Sequence, residues 1–125
     1  MHNGKIQNFT DLNAWREGHA LVLGVYLITK TFPKEELFGL TSQMRRCAVS
    51  ITSNIAEGFG RHSHKEKIQF YFIASGSVLE LQNQLIIARD TDLINEKEYV
   101  NLFNRTIDVH KIIGGLIRSI REYNK

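Results

Sequence analysis

Asn54, Glu57 and Arg61 stand three and four residues apart in the stretch SNIAEGFGRHSHKE, Ser53 to Glu66, where helical spacing sets them on one line. An amide, a carboxylate and a guanidinium so placed could serve as a general base with its orienting partners. They could equally hold an anion, or simply satisfy one another within a packed helix. At about 100° per residue the line runs back through Ser50, Cys47 and Gln43. Glu57 precedes Arg61 by four residues, the favourable order for a helical ion pair, worth a few tenths of a kcal/mol when exposed. The structural network is the simpler reading, because a buried charge left unpaired along that line would be very costly.

Other chemistry finds less to stand on. His62 and His64 lie two apart with only Glu66 nearby, and His2, His19 and His110 are scattered, so neither a metal nor a cofactor site is expected. No histidine falls at helical spacing from Cys47 or Ser50, so neither is set up as a nucleophile. Glu57 and Glu80 could form a carboxylate pair if they met, but the basic neighbours and Asn54 suit structural pairing better. GFGR has two glycines but lacks the Lys-Ser/Thr and the preceding strand of a phosphate-binding loop. No catalytic residue is assigned, and no enzyme is expected.

The second half of the stretch, GFGRHSHKEK, reads as a glycine-flexed turn entering a helix. Arg61, Lys65 and Lys67 there could join the helix N-terminus in holding a phosphate. A solvated basic turn is the plain alternative. Arg45 and Arg46 add to this middle group, and Lys111, Arg118, Arg121 and Lys125 form a second one near the C-terminus. A net charge of +3 and a pI near 9.1 lean toward a polyanionic partner.

The elements that must position these groups are helical. Four amphipathic patterns cover about residues 11–31, 41–60, 64–90 and 96–123, following a flexible tail at 1–8, so residues 9–125 make a single domain. In the first, Leu12, Trp15, His19, Val22, Leu23 and Tyr26 share one face, with Thr10 or Asp11 as cap. Pro33 ends it. Thr41 is the expected N-cap of the second, while Ser63 with Glu66 and Asn95 with Glu98 have capping-box spacing for the third and fourth. His110 falls on the core side of the fourth. Short links imply an antiparallel, up-down, all-α four-helix bundle. The third helix is apolar almost all round, which suits contact with another subunit, and ASGS at Ala74 to Ser77 suggests a close helix crossing. Gln43, Ser50, Asn54, Glu57, Ser77 and Glu80 are assigned to a structural polar layer. One cysteine allows no internal disulfide, no apolar run suits a membrane span, and MHNGKIQN lacks a signal sequence. A cytoplasmic protein without membrane contact is expected.

Four segments, FTDLNAW, TFPKEELFGLTSQMRRCAVSITSNIAEGFGR, FYFIASGSVLELQNQLIIARD and IGGLIRSI, carry a family likeness from Phe9 to Arg121. The chain resembles the four-helix bundle proteins encoded in bacterial 23S rRNA intervening sequences, also labelled S23 ribosomal proteins. The resemblance implies an up-down bundle assembling as a homopentameric ring. It also implies kinship with the accessory protein of diversity-generating retroelements, which binds nucleic acid and a reverse transcriptase. Nucleic-acid contacts are then expected from Arg45, Arg46, Arg61, Lys65 and Lys67, with Arg118 and Arg121 as a second patch. A protein–protein scaffold with no nucleic-acid binding of its own is the competing reading.

Overall fold

The computed structural model describes residues 5–123. Its long elements are α1 (Asn13–Thr29), α2 (Ser42–Phe59), α3 (His64–Asp90) and α4 (Glu96–Tyr123), and no strand occurs among the described residues. Successive helices pack against one another and α1 closes on α4, giving the expected all-α four-helix bundle. Leu21, Val25, Met44, Ala48, Ile51, Ile55, Leu81, Leu85, Val109 and Ile113 fill the space between them.

The start of the chain departs from expectation. Part of the proposed tail, residues 1–4, lies outside the described residues, but Gln7 and Asn8 are held in place. Their backbone N–H groups donate to the Asp11 carboxylate at 3.0 and 3.1 Å, and Asn8 Oδ1 accepts from the Thr10 N–H at 3.1 Å. The cap thus belongs to Asn8 and closes a 3₁₀ turn, Phe9–Asp11, rather than the long helix. Extended backbone at Leu12 separates that turn from α1. At the other end α1 stops at Thr29, whose hydroxyl turns back to donate to the Val25 carbonyl at 2.7 Å.

The buried stripe of α1 is Ala14, Gly18, Leu21, Val25 and Thr29. Leu23 and Tyr26 of the expected face are exposed, and His19 is exposed and stacks on Trp15 at 4.7 Å between ring centres. The reason is close packing on small residues. A methyl group at Gly18 would stand 3.1 Å from Thr52 Cγ2 of α2, so the two backbones approach where side chains are smallest. His110, expected on the core side of α4, is half-buried.

Between α1 and α2 the chain makes a 3₁₀ turn, Lys34–Glu36, and a wider turn, Leu37–Thr41, that runs directly into α2. Thr41 is therefore already helical and caps nothing; Glu36 does the work by accepting the Leu40 N–H at 3.3 Å. Both expected N-caps are present, the second as a full capping box. Ser63 Oγ accepts the Glu66 N–H at 3.1 Å and donates to the Glu66 carboxylate. Asn95 Oδ1 and Glu98 Oε1 accept each other's backbone N–H at 2.8 and 2.9 Å.

Of the small residues expected at a close crossing, buried Ala74 faces the core and Ser77 meets α2, but Gly76 takes no part. Gly76 is exposed, with no atom within 4 Å of where a Cβ would stand. Helices α2 and α3 also approach tightly at Gly58, where a Cβ would lie 2.7 Å from the Tyr71 ring. Tyr71 is the bulkiest of the fully buried side chains, and burial pushes its phenol from 10.0 up to about 12. Burial, reinforced by the neighbouring Glu80, likewise pushes the Cys47 thiol from 9.0 up to about 12. Both groups ionise more easily in the unfolded chain, so their neutral forms support the fold fully below pH 9.0. That support is lost as pH rises toward 12. Denaturant midpoints should fall across this alkaline window, and the fall should be shallower in Cys47→Ala and Tyr71→Phe. An unchanged slope in both variants would show that other groups govern alkaline unfolding.

Candidate nucleic-acid interface

The polar line on α2 divides into two parts. In the first, the Cys47 thiol donates to the Ser77 carbonyl at 3.0 Å, and Ser50 Oγ lies 2.9 Å from Ser77 Oγ. Asn54 Nδ2 donates to the Ser50 carbonyl at 2.8 Å and to Ser50 Oγ at 3.1 Å. The two bonds to Ser77 tie α2 to α3, and the Asn54 bonds hold Ser50 in place within α2. Gln43, Ser50, Ser77 and Glu80 also line one open cleft of about 320 Å³, together with Arg46 and Cys47. In the second part, Glu57 and Arg61 pair at 3.3 Å with both side chains largely exposed. Glu57 therefore stands apart from the Ser50–Ser77 network, and it does not meet Glu80, which accepts from Gln84 Nε2 at 3.3 Å.

The seven basic residues expected to contact nucleic acid do not form one surface. Arg45 and Arg46 lie near the start of α2, roughly 20 Å along the helix from Arg61. Adjacent residues also point about 100° apart, so Arg45 turns toward α1. It donates to Thr29 Oγ1 at 2.8 Å and lies 4.7 Å from the centre of the Tyr26 ring. Arg46 faces the cleft instead.

Near the α2–α3 turn, most of the charge already has a use. Arg61 covers the Phe70 ring at 4.6 Å besides pairing with Glu57. Lys67 Nζ donates to the Phe59 carbonyl at 2.6 Å and reaches the Gly58 carbonyl at 3.4 Å, so it closes the C-terminus of α2. Burial holds its ammonium below the usual lysine value. The N-terminus of α3 is occupied too, since Ser63 satisfies the Glu66 N–H and the Glu66 carboxylate sits in the positive first turn. This removes much of the anion site expected there.

On α4, Arg121 lies 5.2 Å above the Phe72 ring of α3. Arg118 is exposed along its own helix, beside Gly114 and Gly115. Arg46, Lys65 and Arg118 are exposed and make no hydrogen bond or ion pair with another described residue. Of the seven expected contacts, these three are left free to meet a phosphate.

Sequence reasoning missed several polar side chains. Gln84 is nearly fully buried beside Glu80, and Gln82 Nε2 donates to buried Thr106 Oγ1 at 3.0 Å. Their signal was the run of three amides, Gln82, Asn83 and Gln84, of which a helix cannot turn all outward at once. Among the described residues no group of three or more metal-ligating side chains occurs, and no helix is long and apolar enough to cross a membrane.

The geometry defines an all-α bundle with a hydrogen-bonded polar seam and dispersed cations. The chain belongs to the 23S rRNA-intervening sequence protein family, whose model matches residues 10–115. Its fold is similar to a 1.70 Å crystal structure of a protein with unknown function from the S23 ribosomal protein family, from Bacteroides thetaiotaomicron. That likeness has a TM-score of 0.78 at 21% identity, over 84% of this chain and 95% of that one. At that identity it bears on the fold alone. No curated protein matches the sequence significantly.

Proposed function

We propose that this chain is a non-enzymatic, self-assembling bundle that binds RNA or DNA through phosphate contacts in a reducing cytoplasm. The observation that carries the binding is the set Arg46, Lys65 and Arg118, exposed cations that form no ion pair with a described residue. One copy makes a weak site. A ring such as the homopentamer implied by the family resemblance repeats each cation, and repeated weak contacts become a tight, salt-sensitive surface. Self-assembly is supported by the outer face of α3, where Phe72, Ile73, Leu79 and Ile87 are exposed. The lone cysteine supports the non-enzymatic reading, since a buried thiol held near pKa 12 is a poor nucleophile.

Binding of the intact assembly to labelled RNA and DNA across a salt series tests the proposal. The logarithm of affinity should fall linearly with the logarithm of salt concentration. Replacing Arg46, Lys65 and Arg118 together by alanine should lower affinity on the order of tenfold or more, similarly for all sequences, and flatten the salt slope. No binding at about 50 mM salt, where phosphate contacts are strongest, would overturn it.

A second reading has its own support. Arg45, Arg61, Lys67 and Arg121 are all engaged within the chain, which leaves fewer cations for a polyanion than the sequence suggests. On that reading the bundle is a scaffold or accessory subunit for a protein partner, such as a reverse transcriptase. It would co-purify with that partner and ignore nucleic acid.

A further inference from the structure

Two apolar surfaces of the bundle are left uncovered. The first is the C-terminal half of the outer face of α3, where Leu79, Asn83 and Ile87 recur at helical spacing, with Glu80 at the edge. The second is a groove of about 670 Å³ between α1 and α4. Leu23 and Leu27, both exposed, form one wall, and Asn101 and Arg105 lie on the other with Lys97 near its end. Within the chain α1 and α4 touch beneath it, because a Cβ on Gly24 would stand 2.8 Å from Leu102 Cδ2.

The two surfaces lie at the same height along the bundle. The Gln82–Thr106 bond sets the register of antiparallel α3 and α4, which places Arg105 level with Asn83 and Asn101 level with Ile87. The Gly24–Leu102 approach brings Leu23 and Leu27 of α1 to that level. Copies standing side by side with parallel axes therefore bring one surface opposite the other without sliding.

Charge selects the same pairing. Lys97 and Arg105 carry no hydrogen bond or ion pair with a described residue, and the acid in the groove lining, Glu98, is engaged by the Asn95 N–H, so the groove suits an occupant with an acid at the Arg105 edge. Glu80 meets the neutral amide of Gln84 and the Cys47 thiol and, although Arg46 lines the same cleft, forms no ion pair with a described residue; it sits within a turn of the height of Arg105. An amphipathic helix bearing exposed Leu and Ile with an acid beside them fits the groove. The outer face of α3 is such a helix.

We propose that the outer face of α3 in one copy seats in the α1–α4 groove of the next. The contact rests on the self-assembly proposed above and adds which surface receives α3. Because the two surfaces differ, it is heterologous. Each copy keeps a free ridge and a free groove, and repetition gives a ring wherever the rotation closes. A two-fold dimer through α3 would leave both grooves empty.

Cross-linking of single-cysteine chains tests the seating. Both chains carry Cys47→Ala, one carries Leu27→Cys and the other Ile87→Cys, with different tags, and they are co-expressed. A short bis-maleimide should join the unlike chains, while neither chain expressed alone should cross-link to itself. Self-linking of the Ile87→Cys chain would overturn the seating in favour of a two-fold α3 contact, leaving self-assembly intact. Assembly without any link between the unlike chains would also overturn it. A monomer at every concentration by light scattering would overturn both the seating and the self-assembly beneath it. In otherwise native chains, Arg105→Glu should weaken assembly tenfold or more, and Glu80→Arg in the same chain should restore it. Failure of the double reversal to recover assembly would overturn the stated register.

Discussion

Gly58→Val should lower the stability of the bundle by about 3 kcal/mol, the upper part of the range for overpacking a well-filled interior. A valine Cβ would begin 2.7 Å from Tyr71 Cε1 and 3.0 Å from Phe70 Cβ. Neither neighbour is the loose end of a flexible chain. Tyr71 is 2% exposed, so its ring has nowhere to retreat, and the Phe70 Cβ is fixed by the α3 backbone. The added methyls must therefore push α2 away from α3 at this tight contact. The gain in helix propensity over glycine, under about 1 kcal/mol, offsets only part of this. Thermal unfolding should show a midpoint lower by roughly 10 °C. Gly76→Ala is the control, because the same gain comes there with open space around the new methyl. If Gly58→Val melted with the parent, the Tyr71 ring would have to be free to move, and the tight crossing described here would be wrong.

Leu81→Ala and Leu79→Ala should part company although the residues are two apart on one helix. Leu81 is 0% exposed and faces the centre of the bundle, whereas Leu79 is 53% exposed on the outer face. Truncating Leu81 removes buried methyl groups and leaves a cavity among helices that relax only partly, at a cost of about 3 kcal/mol. Truncating Leu79 removes atoms already in water, so the stability of a single copy should change by less than about 0.5 kcal/mol. Its effect should appear in assembly, as a shift toward smaller species on dilution. Chemical denaturation read beside light scattering separates the two. A large loss of single-copy stability in Leu79→Ala would mean that the outer face of α3 is buried in a way the fold does not show.

The four helices were legible because each is long, periodic and marked by its own punctuation. Ser63 with Glu66, and Asn95 with Glu98, announced α3 and α4; Ser63 caps the Glu66 N–H, and Asn95 and Glu98 form the reciprocal bonds their spacing requires. The first helix was harder, for a physical reason. Its buried seam uses Ala14 and Gly18, which carry almost no hydrophobic signal, while the larger Leu23 and Leu27 stay outside. Periodicity weighs side-chain size, but a close helix crossing selects for its absence. Gly76 misled in the opposite sense, since a small residue in mid-helix need not face anything in its own chain.

The candidate interface was half legible. The sequence assigned Ser50, Asn54 and Ser77 to one polar layer, and they are bonded together, but it also placed Glu57 there, which pairs with Arg61 instead. The basic residues were visible as types and not as roles. Lys67 became a helix cap and Arg45 a bridge to Thr29 because carbonyls and hydroxyls happened to stand within reach. No one-dimensional pattern encodes such reach.

The turn between α2 and α3 also bears on how the chain finds its fold. It spans only residues 60–63, against residues 30–41 between α1 and α2. Closing the longer loop costs roughly 1 kcal/mol more chain entropy. The shorter loop is further pinned by the Gly60 N–H, which donates to the Ala56 and Glu57 carbonyls, and by the Lys67 ammonium on the carbonyl of Phe59. The α2–α3 hairpin is thus the cheapest long-range pairing to form from the unfolded ensemble. It is a local nucleus onto which α4 and then α1 can condense, with α1, on the longest tether, arriving last.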